Sequence, residues 1–512
     1  MCLLISNRAL LVFALLAACA GDDAPALDSG IDSGPPDAAI DAAADAEPEP
    51  LPEAEECDIT VPELDSWRLE ADGTLLLDAL GRIVLLRGVN AGGRSKMPPY
   101  LPFAIAEDGS DFDTALAAYM DEVQAWGFSA IRLVFTWESI EPEPGAYDEE
   151  HLSRYDAMVD AAWERGVRVI VDFHQDVYAS IYCGDGFPLW TIPDDLLQEP
   201  PDDCSTWFLG YLNNPNVRAA FDRFWSDEDG VQTAYFALWE MMAERYGDRP
   251  GVLGFEPINE PGWGTATMEE WEPAVLTPFY AEFAARTRKL APETLIVVDA
   301  TGLDALGATT TLDDPGFSGL VFAPHFYDAN TALTGRYEGG ATVSAALGSW
   351  DAVGRAWDVP VILGEFGVSH LTDGAIDYVR DHMDALDDLA MGGTYWEYSL
   401  SGEHWSQEDM DLVEGDGTER AAIVDGLVRP FLRATAGTDP ASHWDPEPGR
   451  FTASFLPAAE GTSEIALPDR LYPEPPVVHL RGGCVDLDPE ARLLRIRSAP
   501  DATLVEVRID RP

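Results

Sequence analysis

The sequence predicts an α/β protein: a (β/α)8 TIM barrel followed by a small C-terminal antiparallel β-sandwich. Three observations carry this reading. Short runs rich in β-branched residues recur eight times between residues 82 and 399. Amphipathic patterns at helical spacing separate them. After residue 437 the helical period stops, and short alternating stretches take over between Pro, Gly and Asp turns.

In chain order the strand candidates are "RIVLLRGVN" (82–90), "SAIRLVF" (129–135), "VRVIVDFH" (167–174) and "VLGFEPINE" (252–260). They continue with "LIVVDA" (295–300), "GLVFAPHFY" (319–327), "PVILGEFG" (360–367) and "GGTYWEYS" (392–399). Runs this apolar suit strands covered on both faces, as in a parallel sheet ringed by helices. In "TALAAYMDEVQAWG", Leu116, Met120, Val123 and Trp126 share one helical face and Gly127 stops the run. The tail stretches "RFTASFLP", "PVVHLRGG", "RLLRIRS" and "TLVEVRI" have the period of strands. The expected division is a barrel over 57–436 and a sandwich over 437–512.

Ahead of the barrel, residues 1–19 combine an apolar run with Leu16-Ala17-Ala18-Cys19, a pattern like a bacterial lipobox. Cys19 is therefore expected to carry lipid, and the chain to be exported, as a cell-envelope lipoprotein or a secreted protein. Residues 20–56 are Ala, Asp, Pro and Glu in near-repeats, a solvated tether. Four further cysteines, Cys57, Cys183, Cys204 and Cys484, suggest disulfides in an exported chain. Cys183 and Cys204 share one loop, which favours their pairing and leaves Cys57 for Cys484, though three connectivities are open.

The net charge of −61, from 92 acidic and 31 basic residues, excludes a nucleic-acid partner, which needs a basic face. A monomer is expected. Function is sought where barrels of this kind keep it, at the C-terminal ends of the strands. Those ends carry Asn90, Arg132, Asp172, His174, Asn259, Glu260, His325, Tyr327, Glu365 and Trp396. Two carboxylates stand out, Glu260 closing the fourth strand and Glu365 closing the seventh. Such a pair across a cleft is the minimal equipment for cleaving a glycosidic bond: one protonates the leaving oxygen while the other attacks the anomeric carbon or activates water. Glu256 is read as four strand residues deeper, about 13 Å away, in a buried structural role beside an arginine. Lys96 sits in a Gly/Pro loop after the first strand, where an ammonium can donate to sugar hydroxyls. Residues 175–216 form a long insertion rich in aromatics, including Tyr182, Trp190, Trp207 and Phe208. His174, Asp172, Asp176 and His325 are metal-ligand types, but their spacing matches no familiar zinc motif, and a two-carboxylate mechanism needs no metal or cofactor.

"INEP" on the fourth strand with "GEFG" on the seventh resembles glycoside hydrolase family 5 across the whole barrel. The resemblance implies Glu260 as acid/base and Glu365 as nucleophile. It further implies Asn259 on the sugar 2-hydroxyl, Arg132 and Tyr327 orienting Glu365, His325 lining the subsite and Trp396 flooring it. Neighbouring strand residues point to opposite faces, so Asn259 and Glu260 share a site only if the strand is irregular there, as in the family. A narrower resemblance, to endoglycoceramidase-type members, rests on "LLRGVNAGGRSKMPPY", "DFHQDVYASIYCGDGFPLW", "APHFYDAN" and "LVRPFLRATAG". It implies that Lys96, Asp172 and His174 hold sugar hydroxyls and that Trp190 stacks on a sugar. The expected function is retaining, endo-acting hydrolysis between oligosaccharide and ceramide, with membrane contact through the anchor and the substrate. The alternatives are a β-glucosidase or glucanase for another glycosyl lipid, a sterol glucoside or a β-glucan, and, more distantly, a glycan-binding surface lipoprotein without turnover.

Overall fold

The computed structural model describes residues 50–61, 66–400, 408–458 and 461–511. Cys19, the leader and most of the tether lie outside the described residues.

Eight parallel strands form the barrel: Arg87–Asn90, Ala130–Phe135, Arg168–Phe173, Val252–Glu256, Leu295–Val298, Leu320–Phe322, Ile362–Phe366 and Gly392–Tyr395. Neighbours pair in chain order, and the eighth strand pairs with the first. Between the sixth and seventh the ring is closed by two parallel bridges, Phe322 with Val361 and His325 with Glu365. The period of two along each strand sorts the side chains. Ile131, Leu133, Phe135, Val169, Val171 and Phe173 join the large core under the helices. Ala130, Ile170, Val297, Val321 and Ile362 form a second, smaller core, which Leu69 and Leu76 of the preceding segment also join. Arg132 and Asp172 stand two residues on from Ala130 and Ile170. They are therefore the polar continuation of the inward face.

Helix Phe112–Ala125 packs as its spacing predicts, with Leu116, Tyr119, Met120 and Val123 buried. Several predicted strands differ in extent from expectation. The run 82–90 serves two sheets: Ile83–Val84 pairs with Phe431–Thr435 of the sandwich, and only Arg87–Asn90 enters the barrel. The fourth strand stops at Glu256 and the sixth at Phe322. Pro257 and Pro324 follow closely, and neither has an N–H to continue the ladder.

The second domain has a seven-stranded and a four-stranded sheet. The larger one takes in Glu70–Asp72, Leu75–Leu77, Ile83–Val84 and Phe431–Thr435 together with Thr462–Ala466, Gly483–Asp488 and Leu493–Ser498. The division into 57–436 and 437–512 is thus not clean, because short strands from before the barrel complete the sandwich. Cys57 is bonded to Cys484 and Cys183 to Cys204. The first bridge ties the segment before the barrel to the sandwich, where Cys57 N–H also donates to the Val485 carbonyl at 2.8 Å. Cys484→Ser is expected to lower unfolding free energy by about 2–5 kcal/mol in denaturant titration, with the Cys57→Ser/Cys484→Ser pair no worse than either single change.

Candidate active site

Arg132 organises the mouth of the barrel. Fully buried, it donates from Nε and Nη2 to the two oxygens of Glu256 at 2.7 and 2.9 Å, and from Nη1 to Glu365 Oε1 at 2.6 Å. The same guanidinium reaches Asn90 Oδ1 at 3.0 Å, Asn259 Oδ1 at 2.9 Å and Asp172 Oδ1 at 3.0 Å. Burial alone would discharge it; Asp172, Glu256 and Glu365 overcome that and hold it firmly charged. Glu256 does pair with an arginine, but the extended-chain distance is corrected. Because the strand ends there and the chain turns, Glu256 lies directly behind the site, sharing Arg132 with Glu365.

The turn after Glu256 is what brings Asn259 and Glu260 to one place. Glu260 takes a left-handed backbone with φ of 37°, unusual for a non-glycine residue. Gln175 Nε2 pins the turn by donating to the Asn259 and Glu260 carbonyls at 2.8 and 3.0 Å, and Glu260 N–H donates to Asp299 Oδ2 at 3.1 Å. A Cβ at Gly302 would come within 2.4 Å of Glu260 Oε2, so any larger residue there would push the carboxyl from this position. Glu260 Oε1 meets His325 Nδ1 at 2.8 Å.

The two carboxyl groups have different surroundings. Glu365 accepts from Arg132 on one oxygen and from the Tyr327 hydroxyl, at 2.8 Å, on the other. Burial pushes Glu365 up from the ordinary carboxylate range, while the Arg132 guanidinium pulls it back toward the charged form. Two charge-assisted bonds, one to each oxygen, favour the ionised state. Among the described residues no lysine or arginine bonds to Glu260 directly. Burial, aided by the field of Asp176, pushes it up to about 8, against weaker pulls from Lys96 and Arg132. His325, held down to about 4 chiefly by burial, is neutral between them. One oxygen of each carboxyl and a ring nitrogen of His325 all lie within 4.8 Å of one another.

These shifts set a pH dependence. With Glu260 protonated below about 8, kcat/KM on a substrate with a poor leaving group is expected to fall as pH rises past that value. The pH–rate profile of Glu260→Gln should lack that alkaline limb.

Beyond the carboxyls, Asp172 meets His174 Nδ1 at 2.9 Å, and the His174 ring stacks on Trp396 with centroids 5.2 Å apart. Lys96 Nζ pairs with Asp176 at 2.5 Å and stands 4.4 Å from the Trp396 ring. Burial opposes its charge, but Asp176, Asp185 and Glu408 hold it well above the ordinary lysine range. The structure therefore gathers Lys96, Arg132, Asp172, His174, Asn259, His325, Tyr327 and Trp396 around Glu260 and Glu365. Trp190 makes its contacts with the segment after the second strand. Its indole donates to the Glu141 carbonyl at 2.9 Å and its half-buried ring packs edge-on against Trp137.

Four site residues went unassigned in the sequence. Asp299 was legible as the polar end of the fifth strand, and Gln175 lay inside "DFHQDVY". Trp207 was legible only as one of the aromatics of the insertion, and Glu408 carried no local signal: the Trp207 and Trp396 indoles both donate to Glu408, at 3.0 and 3.2 Å. Among the described residues three groups offer metal-ligand atoms, namely His174–Asp176–Asp185, Glu256–Asp299–His325 and Glu260–His325–Glu365. Each contains a carboxylate already bound by Lys96 or Arg132, an arrangement that a divalent cation would have to disrupt.

A closed parallel barrel with this carboxyl pair in its mouth defines a glycoside hydrolase. Residues 95–402 match the family model described as cellulase (glycosyl hydrolase family 5), and residues 429–509 match the glycoside hydrolase family 5 C-terminal domain. The chain belongs to glycoside hydrolase family 5. It is 30% identical over 477 residues to endoglycoceramidase I of Rhodococcus hoagii (strain 103S), covering 87% of this chain and 88% of that one. The structure of endo-glycoceramidase II from Rhodococcus sp. in its ganglioside GM3 complex superposes with a TM-score of 0.71 at 28% identity, over 86% of this chain and 100% of that one. Sterylglucosidase 1 of Cryptococcus neoformans shares the fold at 17% identity with a TM-score of 0.71, covering 90% of this chain and 99% of that one.

Proposed function

We propose that this chain hydrolyses the bond between the glycan and the ceramide of glycosphingolipids, in endo fashion and with retention. The observation that carries the mechanism is the spacing of the carboxyls. With one oxygen of Glu260 within 4.8 Å of one of Glu365, the pair has the close spacing of a retaining enzyme, whose carboxyl groups stand roughly 5–5.5 Å apart, against about 6.5–9.5 Å in an inverting one. Glu365, held ionised by Arg132 and Tyr327, attacks the anomeric carbon. Protonated Glu260 gives its proton to the departing ceramide oxygen and then, as carboxylate, takes one from the water that releases the sugar. Asn259, fixed by Arg132, presents its amide to the sugar 2-hydroxyl. Lys96, Asp172 and His174 take up the further hydroxyls over the Trp396 face.

The substrate is supported by the two Rhodococcus endoglycoceramidases, one of which is represented both with ganglioside GM3 and as a lactosyl-enzyme intermediate. Purified protein is expected to show a higher kcat/KM on lactosylceramide than on a cello-oligosaccharide or a sterol glucoside, measured side by side in one detergent. A preference for either of the latter two overturns the substrate reading while leaving the mechanism intact. The anchor belongs to the same reading. Cys19 places the enzyme at the envelope surface, and Cys19→Ala should abolish incorporation of labelled fatty acid.

A further inference from the structure

Two tryptophans from distant parts of the chain meet on one carboxylate. Trp207 lies in the insertion after the third strand, in the short helix Trp207–Leu209, and Trp396 follows the eighth strand. Glu408 Oε1 accepts from the Trp207 indole at 3.0 Å, and Oε2 accepts from the Trp396 indole at 3.2 Å. An ionised carboxyl can take a donor on each oxygen, so both indoles are held at once. The Lys96 ammonium stands 4.4 Å from the centre of the Trp396 ring and 5.9 Å from that of Trp207. The four residues form one cluster at the barrel mouth.

Each arm of this cluster is anchored from behind. Next to Glu408, the Asp409 carbonyl accepts from the His370 N–H at 3.2 Å and Asp409 Oδ1 from Arg420 at 2.7 Å. The Met410 carbonyl accepts from the Tyr395 hydroxyl at 3.2 Å. Glu408 is therefore fixed to the seventh-strand loop and to the eighth strand. A Cβ on Gly92 would lie 2.5 Å from the Trp396 ring, so the ring sits hard against the turn after the first strand. Trp207 is held from the other side. Its N–H donates to the Cys204 carbonyl at 3.0 Å, and Cys204 is bonded to Cys183. The Glu408 bonds thus tie a long insertion to the barrel.

Glu408 acts on its neighbours in two ways, and their sizes differ. Its charge helps to keep Lys96 protonated, but Asp176, in contact at 2.5 Å, and Asp185 contribute more. The Lys96 charge should survive the loss of Glu408. The two indoles each lose an acceptor, and with it the bond that links them. Ordering side chains at the moment of binding costs affinity, so a cluster set in advance binds more tightly. Loss of Glu408 should weaken binding and spare the chemistry of Glu260 and Glu365.

We propose that Glu408 is a positioning residue for the glycosidase reaction: it clasps the Trp207 and Trp396 indoles, so that the insertion and the Trp396 platform are in place before the glycan arrives. The choice of glycan rests on the glycosphingolipid reading; the clasp itself acts on KM and not on cleavage.

The test measures kcat and KM on an aryl β-lactoside for wild type, Glu408→Ala, Trp207→Phe and the double variant. Phenylalanine keeps a ring and removes the N–H. In Glu408→Ala, KM is expected to rise about tenfold, the size of a lost charge-assisted bond, with kcat within about twofold of wild type. Trp207→Phe should raise KM about threefold, because Trp396 stays clasped, and the double variant should be no worse than Glu408→Ala. A wild-type KM in Glu408→Ala, with or without a fall in kcat, overturns the clasp. So does a double variant whose KM rises by the product of the single effects. Should Glu408→Ala fail to fold, Trp207→Phe decides alone, by the rise in KM or its absence. If wild type cleaves the aryl lactoside and leaves lactosylceramide intact, the glycosphingolipid reading fails while the clasp is still judged on these constants. If it cleaves neither, both fail.

Discussion

Replacing Glu365 with alanine is expected to lower kcat by about 10⁴-fold or more, because the variant lacks the atom that forms the covalent intermediate. The fold should survive. Arg132 would keep Glu256, Asp172, Asn90 and Asn259 as partners. Added azide is small enough to enter the vacated space and attack the anomeric carbon itself. It should restore part of the turnover on an activated aryl glycoside and yield the glycosyl azide of inverted configuration, read by NMR. Rescue that gives the retained azide would place the nucleophile elsewhere. Tyr327→Phe removes one of the two donors to Glu365 and should produce a much smaller loss, about 10–10²-fold.

The second large effect belongs to Glu260→Gln. On a ceramide glycoside the loss is expected to be about 10²–10⁴-fold, since the alkoxide would have to leave without its proton. On an aryl glycoside whose phenol needs no proton, the first step should proceed and the second should stall. A burst of phenol followed by a slow steady state is the expected trace. Equal losses on both substrates would mean that Glu260 does not act as the acid. His325 is 2.8 Å from Glu260, but with its ring held neutral it cannot stand in as the donor near neutral pH.

The barrel was legible because its strands are long in apolar residues and regular in spacing. The eight segments read from the sequence contain the eight observed strands. Most of the site was legible for a related reason: an ionisable residue closing an apolar strand has few structural uses at the mouth of a barrel. What the sequence hid is non-local. Nothing in "RIVLLRGVN" announces that its first half pairs with Phe431–Thr435, because strand pairing is a contact across more than three hundred residues of chain. Glu256 was set too far from the chemistry because an extended rise was applied across Pro257, where the strand had already ended. Trp190 resembled a sugar platform by type and position, and only the packing of the insertion turns it onto Trp137. Glu408, far along the chain, joins Trp207 to Trp396 through two indole hydrogen bonds, a contact with no period and no motif.

The most direct test is to digest lactosylceramide in water enriched in ¹⁸O and weigh both products. The account predicts intact lactose carrying one ¹⁸O at its anomeric carbon and ceramide carrying none, because water attacks the sugar bound to Glu365. Galactose with glucosylceramide, or ¹⁸O in the ceramide, would contradict it.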